Sequence, residues 1–290
     1  MYRSIFIPGL FEGRIAVVTG GGSGIGRCTA HELAALGATV ALVGRTPEKL
    51  DKVAQEIADS GGRAHSYPCN IRDEEAVKLL VAQIVAAHGR IDALVNNAGG
   101  QFPSLVKDIS KKGWEAVVQT NLTGGFLMAR ECLNQSMQST GGAIVNIVAD
   151  MWGGMPGMGH SGAARAGMLN FTETVAFEWA TYGVRVNAVA PGYVASSGLD
   201  AYPPEVREMI LQAGKQVPLQ RMATESEVSA AIVFLLSEAA SFITGTVLRV
   251  DGGRPNVRLG FPMQVERATT PFNGFHLARL PKVLQEPEDR

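Results

Sequence analysis

The chain has 290 residues, 46% of them apolar and 18% charged, with a formal net charge of −1. That size and balance fit one large α/β domain with a substantial core, and they leave no electrostatic footprint for nucleic acid. No apolar run is long enough for a membrane span, Met1 to Arg14 lack the apolar centre of a secretory signal, and Pro287 to Arg290 are not a peroxisomal address, so a cytoplasmic location is expected.

Strand-like and helical patterns alternate from about residue 14 to residue 250. Ile15–Thr19 is the first strand, followed by a glycine-rich turn and a helix through Ala35. Thr39–Val43 is the second, after which Thr46 caps a helix towards Ala58. Ala64–Cys69 is the third, and Asp73 opens the next helix. Ala93–Val95, Ala143–Ile147, Arg185–Val189 and Val247–Val250 follow as strands four to seven. This alternation predicts an α/β fold with a parallel sheet covered on both faces. Cys28, Cys69 and Cys132 fall within these apolar patterns and lack metal-ligand spacing, so buried free thiols are expected, with no metal. The rhythm breaks at Ser196–Met222, which carries Tyr202-Pro203-Pro204 and reads as a lid at the C-terminal edge of the sheet. Residues 1–253 are expected to form one domain that includes this lid. Residues 254–290 read as a C-terminal extension that packs on a neighbouring subunit or stays partly disordered.

Thr19-Gly20-Gly21-Gly22-Ser23-Gly24-Ile25-Gly26 joins the first strand to the first helix. Glycines there let a pyrophosphate approach the backbone, and the helix N-terminus supplies free N–H groups. The end of the second strand reads Val43-Gly44-Arg45, an arginine where a carboxylate would favour NAD. An arginine suits the 2′-phosphate of NADP(H), which is the expected cofactor. The alternative is a solvated surface arginine.

Asn96-Asn97-Ala98-Gly99 after the fourth strand, Asn121 in the next helix, Pro191-Gly192 after the sixth strand and Val250-Asp251-Gly252-Gly253 after the seventh now join the glycine turn. In that order and spacing they resemble the short-chain dehydrogenase/reductase family over nearly the whole chain. The resemblance implies a doubly wound Rossmann fold with a seven-stranded parallel sheet, and a homotetramer. It also implies that Gly20, Ser23, Gly24, Ile25 and Gly26 cradle the pyrophosphate. Asn70 and Ile71 would lie on the adenine side, Asn97, Ala98 and Gly99 along the ribose, and Pro191, Gly192, Val194 and Ser196 at the nicotinamide amide.

The family's catalytic tyrosine and lysine do not carry over. Their positions are Ser161 and Arg165, and the family's serine position falls on Val148 or Ala149. Only Asn121 survives of the usual four. Tyr182, Tyr193 and Tyr202 do not fill the gap by alignment. A serine is a weaker acid than a phenol and too short to replace it, and an arginine does not readily relay protons. Ordinary carbonyl reduction is therefore disfavoured.

Reduction of a conjugated thioester asks less. Its main need is hydrogen-bond donors for the oxygen on which negative charge collects. Ser161 and Arg165, one helical turn apart, offer a donor and a ribose anchor. His160 is a candidate acid, because an imidazole titrates near neutrality. His160-Ser161-Gly162-Ala163-Ala164-Arg165, Asn97 to Phe102 and Cys69 to Arg72 are similar to the peroxisomal trans-2-enoyl-CoA reductase branch of the family. The 2,4-dienoyl-CoA reductases are a more distant likeness. The enoyl reductases carry a tyrosine where this chain has Leu169, so that residue's role does not transfer. Trp152 and Met155, with Met151 and Met158, suit a pliable acyl pocket, and Tyr193 is expected at the substrate. Arg207, Lys215 and Arg221 are candidates for CoA phosphates. The expected activity is NADPH-dependent reduction of the 2,3 double bond of an enoyl-CoA, in a chain that binds neither nucleic acid nor membrane. The alternatives are action on a carbonyl or hydroxyl of an acyl-CoA or apolar substrate, with Tyr193 or His160 as acid, and a non-catalytic NADP binder.

Overall fold

The computed structural model describes residues 1–258 and 269–285; residues 259–268 and 286–290 of the expected C-terminal extension lie outside them. The chain runs through β1 (Ile15–Thr19), α1 (Gly24–Ala35), β2 (Thr39–Gly44), α2 (Pro47–Asp59), β3 (Arg63–Pro68), α3 (Glu74–His88) and β4 (Ala93–Asn96). Next, α4 (Lys111–Val118) widens into a π-helical turn, Gln119–Thr123, before α5 (Gly124–Cys132). A second π turn, Leu133–Met137, leads to the short α6 (Gln138–Thr140). Then come β5 (Gly142–Ile147), α7 (Gly159–Trp179), β6 (Val184–Pro191), α8 (Arg207–Ala213), α9 (Glu225–Leu236) and β7 (Val247–Val250).

The seven strands are parallel, in the order β3-β2-β1-β4-β5-β6-β7. Their alternation decides the layers, because successive side chains point to opposite faces. Ala16 and Val18 of β1 join Leu33, Leu50 and Ile232 in one core layer, whereas Ile15 and Val17 join Val81, Leu127 and Val175 in the other. Both faces are thus apolar, as a parallel sheet between helices requires. A buried polar relay ties the sheet to α7. Asn96 Nδ2 donates to Asn146 Oδ1 at 2.9 Å, and Asn146 Nδ2 donates to Thr172 Oγ1 at 2.9 Å. The strand order reverses between β1 and β4, which opens a crevice at their C-terminal ends.

Local signals act as expected in most places. Asp73 caps α3, its carboxylate accepting from Ala76 N at 3.0 Å. Thr46 precedes α2 but its hydroxyl makes no capping bond; Pro47 opens that helix instead, its fixed φ being already helical. The third strand differs. It ends at Pro68, and Cys69 lies just beyond it, half-buried, with its N–H donating to Gly44 O at 2.8 Å. Cys28 and Cys132 are buried free thiols, and burial pushes the Cys132 thiol up to about 12.

Segment 196–222 folds as short 3₁₀ turns around α8. The following chain packs on its own domain. Ser226 Oγ accepts from the backbone N–H of Gly274 and Phe275, Arg3 N donates to Gly274 O at 2.9 Å, and Phe275 stacks on Tyr2. Val283 N donates to Asp200 Oδ1 at 3.2 Å, which lays the end of the described chain against the lid. Among the described residues, no helix is long and apolar enough to cross a membrane.

Candidate cofactor and active site

The crevice is built where the glycine turn meets the loop after β4. Gly20 has φ +66°, a backbone that side chains resist. Thr19 Oγ1 accepts from the N–H groups of Asn97 and Ala98, both at 3.0 Å, and Asn97 Nδ2 donates to Thr19 O at 3.0 Å. The Asn97 side chain, expected along the ribose, is therefore committed to bracing the turn. Ser23 precedes α1 in extended conformation with no side-chain cap. The first-turn N–H groups at Gly24, Ile25 and Gly26 thus remain available for a pyrophosphate.

Arg45 follows β2 directly, is exposed, and has no hydrogen-bond or ion-pair partner among the described residues. Asn70 is exposed and accepts from Arg72 Nε at 3.2 Å. Ile71 was expected on the adenine side; its side chain is buried against Gly124 and serves the core. On the opposite wall, Pro191 ends β6, Gly192 N donates to Val250 O at 3.0 Å, and buried Val194 bridges to Ala223. Ser196 Cβ, Ser197 Oγ and Glu225 Oε1 each lie 3.9 Å from where a side chain on Gly24 would begin. Burial raises the Glu225 carboxyl to about 7, against the pull of Arg27 and the Ser197 N–H. Nothing in the local sequence marks Glu225 as a crevice residue; only the approach of α9 to the glycine turn puts it there.

The first turn of α7 carries the catalytic candidates. Ser161 is fully buried and its Oγ donates to Gln101 Oε1 at 2.7 Å. Gln101 Nε2 donates in turn to the Tyr202 hydroxyl at 2.6 Å. Arg165 donates to the carbonyl of Ile147 at the end of β5. Its guanidinium fills the space beside Gly99 so tightly that a Cβ there would overlap it. Burial without a nearby carboxylate lowers the Arg165 guanidinium to about 10, so it stays cationic at neutral pH. Asn121 sits in the π turn, a geometry common at functional sites. Its Oδ1 accepts from Gly100 N and its Nδ2 donates to Gly100 O, both at 2.9 Å. Both ends of the Asn121 amide are therefore spent on holding the Gly99–Gly100 loop. Val148 is buried apolar packing, and neither it nor Ala149 offers a hydroxyl.

Several expected roles shift. His160 is fully buried, and its Nδ1 accepts from Ser161 N at 2.9 Å. The ring lies edge-on to Phe102, with centroids 4.4 Å apart, and Nε2 has no partner among the described residues. Trp152 lies under the Arg249 guanidinium, and Met155 packs against Gly162. Tyr193 lies under Arg254 and lines a separate cleft of about 550 Å³ with Leu219, Arg221 and Asp251. Arg249, which covers Trp152, also lines the Tyr193 cleft, whereas Met155 does not line it. Arg221 is held by Glu227 through two bonds of 2.8 and 2.7 Å and is committed to that ion pair, whereas exposed Arg207 makes one bond of 3.5 Å to Gln285 O. The tyrosine that does reach Ser161 is Tyr202, through Gln101. Its only sequence signal was its place in the lid.

Residues 20–254 match the family model described as enoyl-(acyl carrier protein) reductase. The chain is 36% identical over 249 residues to a Bacillus subtilis protein provisionally assigned as a 2,4-dienoyl-CoA reductase of the (2E)-enoyl-CoA-producing type, covering 84% of this chain and 97% of that one. The chain belongs to the short-chain dehydrogenase/reductase family. Solved members agree in fold. A citronellol catabolism dehydrogenase of Pseudomonas aeruginosa PAO1 is 61% identical, with a TM-score of 0.80 over 87% of this chain and 99% of its own. A Beutenbergia cavernae protein provisionally assigned as an NAD(P)-dependent gluconate 5-dehydrogenase, with NADP bound at low occupancy, is 37% identical, with a TM-score of 0.80 over 87% of this chain and all of its own. As a short-chain dehydrogenase/reductase the protein is an oxidoreductase of an NAD(P)-binding family. The crevice fits such a cofactor, with its glycine turn and the open N-terminus of α1.

Proposed function

We propose that the protein reduces the 2,3 double bond of an enoyl-CoA thioester with NADPH. The observation that carries this reading is the pairing on α7. Ser161 and Arg165 supply a hydroxyl donor and a fixed cation where a carbonyl reductase of this family holds a phenol–lysine couple. Such a site is better suited to stabilising an enolate oxygen than to protonating an alkoxide. When bound, the cofactor would supply hydride to Cβ. Ser161 Oγ–H, turned from Gln101, would donate to the thioester oxygen. Arg165 would hold the ribose hydroxyls and add positive potential beside the developing charge. Asn121 would keep the Gly99–Gly100 loop against Arg165.

NADPH is favoured over NADH by Arg45, exposed and unpaired among the described residues at the end of β2. The acyl chain is proposed to be a branched isoprenoid. Support comes from the Pseudomonas relative, whose name places it in the breakdown of citronellol, an acyclic branched terpenoid alcohol. The reverse of the proposed step is a dehydrogenation, so the relative's name is compatible in class.

That name also favours a second reading, oxidation of a terpenoid alcohol or reduction of its carbonyl. One spectrophotometric experiment separates the two. NADPH oxidation is measured with straight and 3-methyl-branched trans-2-enoyl-CoAs, and NADP reduction with citronellol. Turnover of the enoyl thioesters, fastest with the branched chain, is expected. Turnover of the alcohol alone would establish the second reading.

A further inference from the structure

Ser161, Gln101 and Tyr202 form a hydrogen-bond chain with a direction. The Ser161 hydroxyl gives its proton to Gln101 Oε1, and the Gln101 amide gives its own to the Tyr202 oxygen. Of the two hydroxyls, the Tyr202 O–H is therefore the one whose proton is left over among the described residues. It faces nothing better than Met158 Sδ at 3.9 Å, a weak acceptor. Tyr202 is half-buried, beside the first turn of α7, on the lid segment that follows β6.

We infer that Tyr202 delivers the proton taken up at Cα of the substrate, reaching the site from the lid instead of from α7. The inference rests on the enoyl-CoA reading above. Hydride adds at Cβ, the electron pair of the double bond moves to Cα and the thioester oxygen, and the phenol proton forms the new Cα–H bond. The phenolate left behind is held by Gln101 Nε2–H and is reprotonated from water. An enolate carbon is a far stronger base than a phenolate, so the transfer runs downhill without an activating lysine. Burial raises the Tyr202 phenol above its ordinary value, which keeps it protonated through neutral pH as a donor must be. Gln101 is then a positioning residue: its amide aims the phenol.

The test is reduction of a 3-methyl-branched trans-2-enoyl-CoA by NADPH in deuterated water, with wild-type protein, Tyr202→Phe and Gln101→Leu. Rates are read from NADPH absorbance and the face of Cα labelling from deuterium NMR of the product. Wild type is expected to label one face. Tyr202→Phe is expected to slow turnover about 100-fold, to label both faces, and to bind NADPH with unchanged affinity. Gln101→Leu should slow turnover less and partly scramble the label. Unchanged rate and labelling in Tyr202→Phe would overturn the assignment. A slower variant that still labels a single face would also overturn it, because the residue would then only support the site. If wild type oxidises NADPH with no enoyl-CoA, the enoyl reading fails on its own. Tyr202 is then judged on the carbonyl substrate that wild type does reduce, where loss of turnover in Tyr202→Phe supports a proton-donating lid and retention sinks it.

Discussion

Ser161, Arg45 and Glu225 each carry a separable consequence. Ser161→Ala removes a fully buried hydroxyl that holds Gln101, so it should lower kcat by ten- to a hundredfold. Restoring the family's residue with Ser161→Tyr should not recover activity, because Gln101 already occupies the space in front of it. At the other end of the crevice, Arg45→Ala should weaken NADPH binding about tenfold while leaving NADH binding unchanged, as titration calorimetry would show. Equal loss for both cofactors would remove Arg45 from the 2′-phosphate. Glu225 adds a pH dependence. Its carboxyl, raised to about 7, is largely neutral below that pH and becomes charged above it, beside the turn meant for an anionic pyrophosphate. Cofactor affinity should therefore fall as pH rises through 7. Glu225→Gln should flatten that profile and bind about tenfold tighter at pH 8, a change of ~1.4 kcal/mol.

At the scale of elements, the π turn between α4 and α5 and the loop after β4 act as one unit. Asn121 fastens that loop through both of its amide atoms, and Arg165 presses on the loop at Gly99. Gly99→Ala adds a methyl group where the guanidinium sits and only 3.1 Å from Asn121 Oδ1. The residue is exposed, so the fold should survive with little change in Tm while kcat/KM falls at least tenfold. A large loss of Tm with activity retained would show that the contact serves stability instead. Asn121 was legible in the sequence as a family position. That it acts on a loop rather than on substrate was not legible, because helix periodicity does not reveal where an extra residue widens the turn.

Across the whole molecule, the N-terminal segment and residues 269–277 form a clasp on α1 and α9. Tyr2, Cys28 and Phe275 make a small apolar cluster there, with the Arg27 guanidinium over the Phe275 ring. Phe275 is 3% exposed, so Phe275→Ala should cost about 3 kcal/mol of stability, read from denaturant midpoints. The clasp lies against the helix that bears Glu225, so loosening it should also weaken cofactor binding. Phe177 on α7 and Phe242 before β7 are almost fully exposed. We propose that both are covered by other copies of the chain in a homotetramer. Light scattering should give the mass of four chains, and Phe177→Asp should lower it.

By itself the sequence determined the seven strands, their parallel order of use and the glycine turn. It also determined that Ser161 and Arg165 stand where a tyrosine and a lysine are usual. These features follow from local rules: period-two apolar runs, helix caps, and backbone positions that only glycine tolerates. Tertiary structure alone decided which side chains meet. Gln101, Tyr202 and Ser161 come from three distant segments, and their hydrogen bonds exist only because the loop after β4, the lid and α7 converge on one strand edge. His160 looked available beside Ser161 in the chain, yet Phe102 covers it. Neighbours in sequence point about 100° apart on a helix, so adjacency could not show that Ser161 meets Gln101 while His160 meets Phe102.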